Sequence, residues 1–583
     1  MKRFNIEQAM RTFWARAQSG AIHGAPSRSL RLALLFALSC LSTSLLLADD
    51  FIQQWFIAAN QAELELRYVL VLWAFSLGLW LVGRAWLSTP VLLLFALMQL
   101  VQLSHVSYFG EPLDAADISN MLDGWADVQE AGLSAAADHW HVLPAVLLPY
   151  LALVALHLWL PGRLGLRAGG WQLAIGLLLV AAVLAAKPYR ATYRGMDSFM
   201  SGPTRSALHN SLNAFSYFAV RLAFREPPPL QVSPFQPYTL TPVPSGARHV
   251  WLVLADSLRS ERLSVFGYER DTTPNLRRLR EEGELIVKPG IAAGVSTAVT
   301  VANLLNLVRE PGQPELLRDH SYNLYRMARD SGFQTFWMSA QESKLLNHAG
   351  SRFIDISISR EDHPLLFLRR HDHAVVDLLK RQAWRERNFV VINLRTAHLP
   401  YEENYDQHRE PMERWPVDSR MPREQRFGNA YDNSILYLDD VLAEIIRDFD
   451  RLQGERYLLI SGDHGQLLGE GGRWGHNDLL PEVVQVPIMV YAKEASSQAM
   501  RAIRAEHWVS HHEAGVWLAE RLGVRVHNPN ALPGEHFNHG NQLFGEKYIQ
   551  RIRETPEGLV HERPELLSQW LERHNNLRSA GDR

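Results

Sequence analysis

The chain has 583 residues, so it is longer than one ordinary domain and is expected to hold at least two. Its charged fraction is 21% and its formal net charge at pH 7 is −3, without the basic excess that marks a nucleic-acid-binding protein. Cys40 is the one cysteine, which excludes an intramolecular disulfide and a cysteine-rich zinc module.

Apolar residues are concentrated near the N-terminus, in stretches with almost no internal charge. A helix needs about 20 residues, mostly apolar, to cross the hydrocarbon core of a bilayer. Five successive stretches of this kind predict a membrane domain of five helical spans rather than buried helices of a soluble core. The second and fifth are the shortest, and snorkelling side chains can complete them. The stretches are Leu32–Ala48, Tyr68–Gly83, Pro90–Tyr108, Val142–Leu160 and Trp171–Ala186.

Charged residues between these stretches set the expected orientation, because basic segments stay in the cytoplasm. The basic segments hold Lys2, Arg3, Arg11, Arg16, Arg28 and Arg31 before the first stretch, Arg84 after the second, and Arg163 and Arg167 after the fourth. The two acidic loops hold Asp49, Asp50, Glu63 and Glu65, and Glu111, Asp114, Asp117, Asp123, Asp127 and Glu130. The sequence thus predicts a multi-pass protein of the bacterial inner membrane, with a cytoplasmic N-terminus and a periplasmic C-terminal part. The first stretch lacks a small-residue cleavage pattern, so we expect a retained anchor.

The rest of the chain divides at changes in composition. After a membrane domain of residues 1–188, residues 189–247 hold an apolar pattern at helical spacing and then a proline-rich run from Glu226 to Pro244. The first pattern predicts either an amphipathic helix on the bilayer or a helix packed on the soluble domain, and the second predicts an extended linker. Residues 248–545 are expected to form the soluble domain, and residues 546–583 a tail to which the sequence assigns no role. The apolar pattern is Leu208, Leu212, Phe215 and Phe218.

Short apolar runs alternate with helical patterns after Ala247. Thr273–Leu279 begins one helix with proline in its first turn, Tyr431–Phe449 has a helical apolar face, and Ser510 with Glu513 forms a capping box. Strands alternating with helices predict an α/β domain with a mostly parallel central sheet, in which ligands bind beyond the carboxyl ends of the strands. The predicted strands are Val250–Ala255, Gln334–Met338, Phe389–Leu394, Tyr457–Ile460 and Val486–Tyr491.

Acidic residues follow two of these strands. Asp256 comes directly after the first, and Asp463 with His464 follows Tyr457–Ile460 after two residues. A carboxylate beside an imidazole can bind a divalent cation, and three oxygens with one nitrogen suit Zn²⁺, with Mn²⁺ as the alternative. An Asp-His-Gly turn alone is a weak signal, because similar turns are common without a metal.

A small-residue loop offers a group for such a metal to act on. Ser296 and Thr297 stand where an apolar helix pattern begins, and a helix N-terminus favours anions. A metal-activated hydroxyl at that place can attack phosphorus. The simpler interpretation of Ser296 or Thr297 is a helix cap. His398 and His476 also lie in turns near predicted strand ends, and each taken alone is more simply a structural histidine.

Taken in order, these segments resemble the alkaline phosphatase and sulfatase superfamily, and within it the membrane phosphoethanolamine transferases, to which lipoteichoic acid synthases are related. The resemblance covers the membrane stretches and nearly all of Arg248–Gly523. It implies an alkaline phosphatase-like fold for the soluble domain. The stretches that carry it are Leu254–Arg259, Phe266–Leu276, Gly294–Ala298, Tyr431–Ile435, Ser461–Glu470 and Gln485–Ile488.

The resemblance implies roles for seven residues. Asp256, Thr297, Asp463 and His464 would bind the catalytic zinc, and Thr297 would also be the nucleophile that becomes phosphorylated with the head group. The remaining three would contact the substrate or, for the two histidines, an additional zinc; they are His398, His476 and Lys344. The implied reaction moves phosphoethanolamine from a phospholipid, such as phosphatidylethanolamine, to an envelope glycolipid, glucan or other acceptor.

Two departures and three alternatives accompany this resemblance. The family usually has Glu where this chain has Asp256, and its lipid A-modifying members usually have disulfides that this chain cannot form. The first alternative is a phosphoglycerol transferase of the same superfamily. The second is a phosphodiesterase or phosphatase of that superfamily, and both would use the same residues. A non-catalytic membrane sensor or assembly protein is the alternative from another class.

Overall fold

The structure is a computed structural model, which describes residues 27–53, 64–110, 112–123, 125, 128–129, 132, 140–164, 166, 169–202, 204–223, 235–405, 414–545 and 547–581. The chain divides into two compact units, Met1–Glu226 and Pro227–Arg583, which we call the membrane unit and the soluble unit. Some residues used in the sequence analysis lie outside the described residues: Lys2, Arg3, Arg11, Arg16, Glu63, Glu111, Asp127, Glu130, Arg167 and the run from Glu226 to Pro234.

Long apolar helices form the membrane unit. Within its described residues, four helices are long and apolar enough to cross a membrane: Arg28–Leu46, Ala85–Phe109, Val142–Arg163 and Trp171–Ala191. A shorter apolar helix, Leu66–Val82, corresponds to the second predicted span and has 17 residues. The helical unit therefore provides four candidate spans, and the fifth span remains a prediction. Shorter helices in this unit are Ala48–Ile52, Ala115–Asp123 and Ala207–Tyr217.

Two glycines let the short helix Leu66–Val82 pack closely on helix Trp171–Ala191. A Cβ atom on Gly176 would lie 2.8 Å from the Gly78 carbonyl oxygen, and a Cβ on Gly78 would lie 3.1 Å from that of Gly176. Small residues at such crossings bring helix backbones together, which strengthens van der Waals packing where no hydrophobic driving force acts. We expect a larger residue at either position to separate these helices.

Helix Ala207–Tyr217 corrects the expected place of the apolar pattern that follows the membrane stretches. Leu208 and Leu212 are buried in the apolar core of the membrane unit, together with Phe75, Phe95 and Tyr150. The helix begins after Ser206, whose hydroxyl accepts a hydrogen bond from the His209 backbone N–H. Its apolar face thus packs into the membrane unit itself, which sequence spacing could not distinguish from a bilayer surface.

A mixed eight-stranded sheet forms the centre of the soluble unit. Its strands, numbered here in chain order, are β1 His249–Ala255, β2 Leu285–Ile291, β3 Gln334–Ser339, β4 Ile356–Ile358, β5 Asn388–Leu394, β6 Arg456–Gly462, β7 Gln485–Lys493 and β8 Val509–Ser510. Their spatial order is β8-β2-β7-β6-β1-β5-β3-β4. Strand β7 is antiparallel to both of its neighbours, and the other adjacent strands pair in parallel. The carboxyl ends of β1, β2 and β6 therefore meet at one edge of the sheet.

Helices cover both faces of this sheet because its strands are apolar on both sides. On β1, Val250, Leu252 and Leu254 belong to the main apolar core, while Trp251 on the opposite face contacts Phe449. Phe449 lies on the longest helix, Arg423–Asp450. The other helices are Pro274–Glu281, Thr297–Leu305, Pro314–Asp319, Leu324–Asp330, Pro364–Arg370, His373–Leu379, Pro481–Val484, Ser497–Ala505, His511–Arg521 and Leu567–Gly581. The helix starts predicted at Pro274 and at the Ser510–Glu513 capping box are confirmed.

Residues after 545 continue the soluble unit. Strand Tyr548–Thr555 pairs with Glu535–Asn538, and its Ile552 is buried against Ile291 at the end of β2. This small sheet also contains Gly558–His561 and Glu565–Leu566. Two further strand pairs are Thr239–Pro242 with Val524–His527 and Leu467–Leu468 with Trp474–Gly475.

Candidate metal centre and nucleophile

Three metal-ligating side chains meet at the carboxyl edge of the central sheet. Asp256 follows β1, and Asp463 and His464 follow β6, the strand paired in parallel with β1. All three side chains are fully buried, and one ligand atom from each lies within 4.8 Å of the others. Parallel pairing thus brings together acidic residues that are about two hundred positions apart in the chain.

Thr297 lies against this cluster from a different element. It is the first residue of helix Thr297–Leu305, and Ser296 occupies the N-cap position without a side-chain capping hydrogen bond. The Thr297 hydroxyl Oγ1 is 3.4 Å from Asp256 Oδ2 and 3.5 Å from His464 Nε2. A capping role is therefore not what fixes the Thr297 side chain, which faces the cluster at the N-terminus of the helix.

The two oxygens of Asp463 have different environments. Oδ1 accepts hydrogen bonds from the backbone N–H of Ser257, at 3.0 Å, and of His464, at 2.7 Å. Ser257 adopts a left-handed φ of 56°, a conformation that costs a non-glycine residue roughly 1–2 kcal/mol. Oδ2 is buried and accepts no hydrogen bond of normal geometry from the described residues. It lies 3.6 Å from His464 Nε2 and so faces the other ligand atoms.

His464 presents a lone pair to the same point. Its Nδ1 lies 2.9 Å from the Gly465 carbonyl oxygen, so Nδ1 carries the proton and Nε2 is unprotonated in the neutral ring. Nε2 is 3.7 Å from Asp256 Oδ1. Burial lowers the pKa of His464, although the nearby Asp256 charge acts in the opposite direction. The ring is therefore neutral near pH 7, as a metal ligand must be.

These residues fit a zinc ion. Their separations of 3.4 to 3.7 Å are too long for charged hydrogen bonds, which measure about 2.7–2.9 Å. They match the edges of a tetrahedron of ligands, which are about 3.4 Å long for metal–ligand bonds of about 2.1 Å. Asp463 Oδ2 gives the same indication, because a buried carboxylate oxygen that accepts no hydrogen bond of normal geometry from the described residues is costly without a cation.

The electrostatics of the two carboxyls favour the binding of a positive charge. Burial, followed by the charge of Asp256, raises the pKa of Asp463 well above its usual range. Burial also acts to raise the pKa of Asp256, but His398, His464 and His476 together lower it overall. The pKa values of these two buried carboxyls are thus shifted in opposite directions. Both groups would ionise in the presence of a divalent cation.

His476 and His398 extend the cluster. The His476 ring stacks on His464 with centroids 4.2 Å apart, and the His398 ring lies 6.3 Å from His476. His476 Nδ1 is 2.7 Å from the Val295 carbonyl oxygen, so its Nε2 carries a lone pair. Burial, followed by the charge of His464, lowers the pKa of His476 to about 3. The neutral His476 can thus accept a hydrogen bond or bind a cation through Nε2, but it cannot donate from Nε2.

Lys344 lies farther along the edge. It belongs to the 3-10 turn Ser343–Leu346, which packs on helix Thr297–Leu305. Its ammonium is 2.6 Å from Glu342 Oε2, and about a third of its side chain is exposed. The role implied for Lys344 by the resemblance stays a prediction.

Gln341 is a site residue that the sequence did not single out. It follows β3 by two residues, and its amide Nε2 donates to Asp256 Oδ2 at 2.8 Å. The Ser257 hydroxyl donates to Asp256 Oδ1 at 2.7 Å. Together they fix the orientation of the carboxylate. The position of Gln341 after a strand end was the available signal.

Replacing Gln341 with alanine should weaken metal binding without preventing it. The loss of one hydrogen bond frees the Asp256 carboxylate to rotate, and groups that orient metal ligands typically contribute 10–100-fold in affinity. Zinc titration of the purified full chain should show a dissociation constant about tenfold higher. Gln341→Glu, which cannot donate at neutral pH, should behave like Gln341→Ala; unchanged affinity in both variants would contradict a positioning role.

The comparisons with known proteins concern the family and the fold. The family model described as Sulfatase matches residues 248–514. The soluble unit contains a sulfatase-family domain. The resemblance to phosphoethanolamine transferases is confirmed at the level of relatives, because curated proteins with that name match the chain over this region.

Two such relatives illustrate the extent of the match. Phosphoethanolamine transferase EptA of Helicobacter pylori is 23% identical over 307 residues, which are 48% of this chain and 56% of that protein. The Kdo(2)-lipid A phosphoethanolamine 7''-transferase of Salmonella typhimurium is 22% identical over 286 residues, 45% of this chain and 48% of that protein. The chain thus spans about half the length of the curated relatives it matches.

A solved structure extends the likeness to both units. The integral membrane lipooligosaccharide phosphoethanolamine transferase A of Neisseria meningitidis superposes with a TM-score of 0.54 at 18% identity. The match covers 84% of this chain and 95% of that one. At this identity it shows a shared fold: a helical membrane part followed by an α/β domain. The chain is a membrane protein with a soluble C-terminal domain.

Proposed function

We propose that this chain transfers phosphoethanolamine from a phospholipid to an envelope acceptor through a covalent intermediate on Thr297. The observation that carries the proposal is the approach of Thr297 Oγ1 to Asp256 and His464 inside a buried cluster suited to zinc. Relatives named as phosphoethanolamine transferases support the choice of head group.

Asp256, Asp463, His464 and Thr297 are the residues that would hold the zinc. When bound, the ion supplies positive charge that lowers the pKa of the Thr297 hydroxyl and offsets charge on the phosphoryl oxygens. Thr297 Oγ1 forms a bond to phosphorus as the bond from phosphorus to the diacylglycerol oxygen breaks. The proton lost by the hydroxyl is balanced by the proton that diacylglycerol takes up.

The second half of the reaction reverses this bond exchange. An acceptor oxygen forms a bond to phosphorus, the bond to Thr297 breaks, and the threonine hydroxyl regains a proton. His476 suits the acceptor side, because its unprotonated Nε2 can accept the hydrogen bond of an incoming hydroxyl. His398 lies beside it and would contact the acceptor or the transferred group.

Membrane anchoring fits a donor that never leaves the bilayer, because it raises the local concentration of that lipid at the site. The acidic and basic loops support an inner-membrane protein with its soluble unit in the periplasm. A glycolipid acceptor is the class supported by the relative named for Kdo(2)-lipid A. A glucan remains the alternative, because this chain has no second cysteine for the disulfides of lipid A-modifying proteins.

Vesicles of defined composition test the proposal. The purified full chain, loaded with zinc, is mixed with phosphatidylethanolamine or phosphatidylglycerol, and its intact mass and the released diacylglycerol are measured. We expect a phosphoethanolamine adduct that disappears when lipopolysaccharide or periplasmic glucan is added. An adduct from phosphatidylglycerol alone would favour the phosphoglycerol alternative. Head-group release to water without acceptor dependence would favour a phosphodiesterase, and no diacylglycerol would favour a non-catalytic protein.

A further inference from the structure

A second group of metal-ligating side chains, distinct from the one beside Thr297, lies at the start of helix His373–Leu379. His373, Asp440 and Glu444 each offer one ligand atom within 4.8 Å of the others, and we call these three residues the second cluster. Asp440 and Glu444 are four positions apart on helix Arg423–Asp450, so both point from the same face. His373 is buried, and the two carboxylates are partly exposed.

The ring of His373 is oriented toward the carboxylates by Tyr437. The Tyr437 hydroxyl donates its one proton to the Arg370 carbonyl oxygen at 3.0 Å. His373 Nδ1, 2.8 Å from the same hydroxyl oxygen, must then be the donor in that contact. In the neutral ring this leaves the lone pair of Nε2 facing two negatively charged groups. Metal-ligating histidines are commonly fixed by a hydrogen bond from the other ring nitrogen in this way.

The distances in the second cluster differ from those of a direct ion pair. His373 Nε2 is 3.4 Å from Asp440 Oδ2 and 3.8 Å from Glu444 Oε1. In the same unit, His536 Nε2 and Glu554 Oε1 form a direct contact of 2.8 Å, the usual length for such a hydrogen bond. In the second cluster, the 3.4 Å distance matches the edge expected between ligands around one small cation, about 3.4 Å for bonds of about 2.1 Å, and the 3.8 Å distance is slightly longer.

Lys380 leaves this arrangement intact. Its ammonium is 3.0 Å from Glu444 Oε2 and 3.9 Å from Asp448, so it pairs with the oxygen that does not face His373. Glu444 Oε1 lies 3.8 Å from His373 Nε2 and 3.7 Å from the guanidinium of Arg447, whose side chain is mostly exposed. The carboxylate can therefore bind a cation through one oxygen and Lys380 through the other.

We propose that the second cluster binds a divalent cation, with zinc as the ion best suited to one imidazole and two carboxylates. The site is independent of the proposed transferase reaction. Asp372, next to His373, accepts hydrogen bonds from the backbone N–H of Arg395 and Thr396, in the loop that leads to His398. A cation here would tie that loop to helix Arg423–Asp450 and would so brace the segment that leads to His398.

Metal content of the purified full chain tests the proposal. After equilibration with zinc and removal of excess, we expect two zinc equivalents per chain. Asp463→Asn should lose one and keep the other, Asp440→Asn should lose one, and the double variant should hold none. Glu444→Gln removes the other carboxylate of the second cluster and should also lose one equivalent. Two equivalents retained by both Asp440→Asn and Glu444→Gln, or an empty Asp463→Asn chain, would overturn the second site.

The melting temperature, measured in the Asp463→Asn background, tests the second cluster independently if a variant folds too poorly for its zinc content to be measured. Zinc should raise the melting temperature of Asp463→Asn and should leave Asp463→Asn/Glu444→Gln unchanged. Lys380→Gln is the matched control, because it alters the charge beside Glu444 without removing a ligand, and it should retain the second equivalent. Loss of that equivalent in Lys380→Gln would show sensitivity to local charge alone and would count against the site.

Discussion

Replacing Thr297 with alanine should abolish the covalent head-group adduct and reduce transfer by at least about 10³-fold, because the variant lacks the oxygen that bonds to phosphorus. The protein should still fold, since the side chain faces the metal cluster and not the apolar core. The measurement is mass spectrometry of the peptide containing residue 297 after incubation with phosphatidylethanolamine vesicles.

Two neighbouring variants make this experiment specific. Ser296→Ala should keep the adduct, because Ser296 occupies the N-cap without a capping side-chain hydrogen bond. Thr297→Ser should retain part of the activity, since it keeps the hydroxyl and loses a methyl group. An adduct found on Thr297→Ala, or its loss in Ser296→Ala alone, would assign the nucleophile elsewhere.

Replacing Asp463 with asparagine should change stability in opposite directions with and without zinc. In the metal-free chain the variant should melt at a higher temperature, because it removes a buried carboxyl that burial and Asp256 destabilise. With zinc the wild type should become the more stable form, since bound zinc contributes about 2.7 kcal/mol at 100 times its dissociation constant. Transfer activity should fall to the level of Thr297→Ala.

The metal-free comparison also has a defined pH dependence. The unfolded Asp463 carboxyl ionises near pH 3.9, and its folded pKa is raised. The wild type therefore loses stability as pH rises above about 4, and Asp463→Asn does not have this pH-dependent loss. The difference in melting temperature between the two metal-free proteins should therefore widen between pH 4 and pH 7. Melting curves in chelator at several pH values measure it.

Asp432→Asn is the control for Asp463→Asn. Asp432 is a buried carboxylate bound by Arg270, at 2.7 Å, and by the Tyr268 hydroxyl, at 3.0 Å. Its replacement leaves a partly buried arginine without its anion, so the melting temperature should fall with and without zinc while zinc is still bound. Equal behaviour of the two variants would contradict a metal role for Asp463.

The sequence predicted those strands of the sheet that read as uninterrupted apolar runs. β1, β3, β5, β6 and β7 lie where expected, with bounds that differ by one or two residues. β2 was missed because Lys288, Pro289 and Gly290 interrupt its pattern, and they are tolerated where β2 faces β7 and the short β8. The direction of a strand could not be predicted either, because a buried strand has the same apolar pattern whether it pairs with its neighbours in parallel or antiparallel.

The site was predictable where a ligand follows its strand directly. Asp256, Asp463 and His464 stand at strand ends, and the sheet rule places such residues together. Gln341 also follows a strand end, but its contact with Asp256 could not be predicted, because that contact depends on the order β1-β5-β3, which only the folded sheet fixes. The second cluster was hidden for a similar reason: His373 and Asp440 come from elements whose packing no local pattern encodes.

The sheet order also sets when during synthesis Thr297 can reach its place. Among the described residues, the sheet partners of β2 are β7 and β8, which are translated about two hundred residues later. Until Gln485–Lys493 has emerged and been inserted between β2 and β6, the segment bearing Thr297 has no docked neighbour on that side. A nascent chain would thus hold its carboxylates near one another before the Thr297 hydroxyl arrives, so the proposed site would be assembled only when the soluble unit is almost complete.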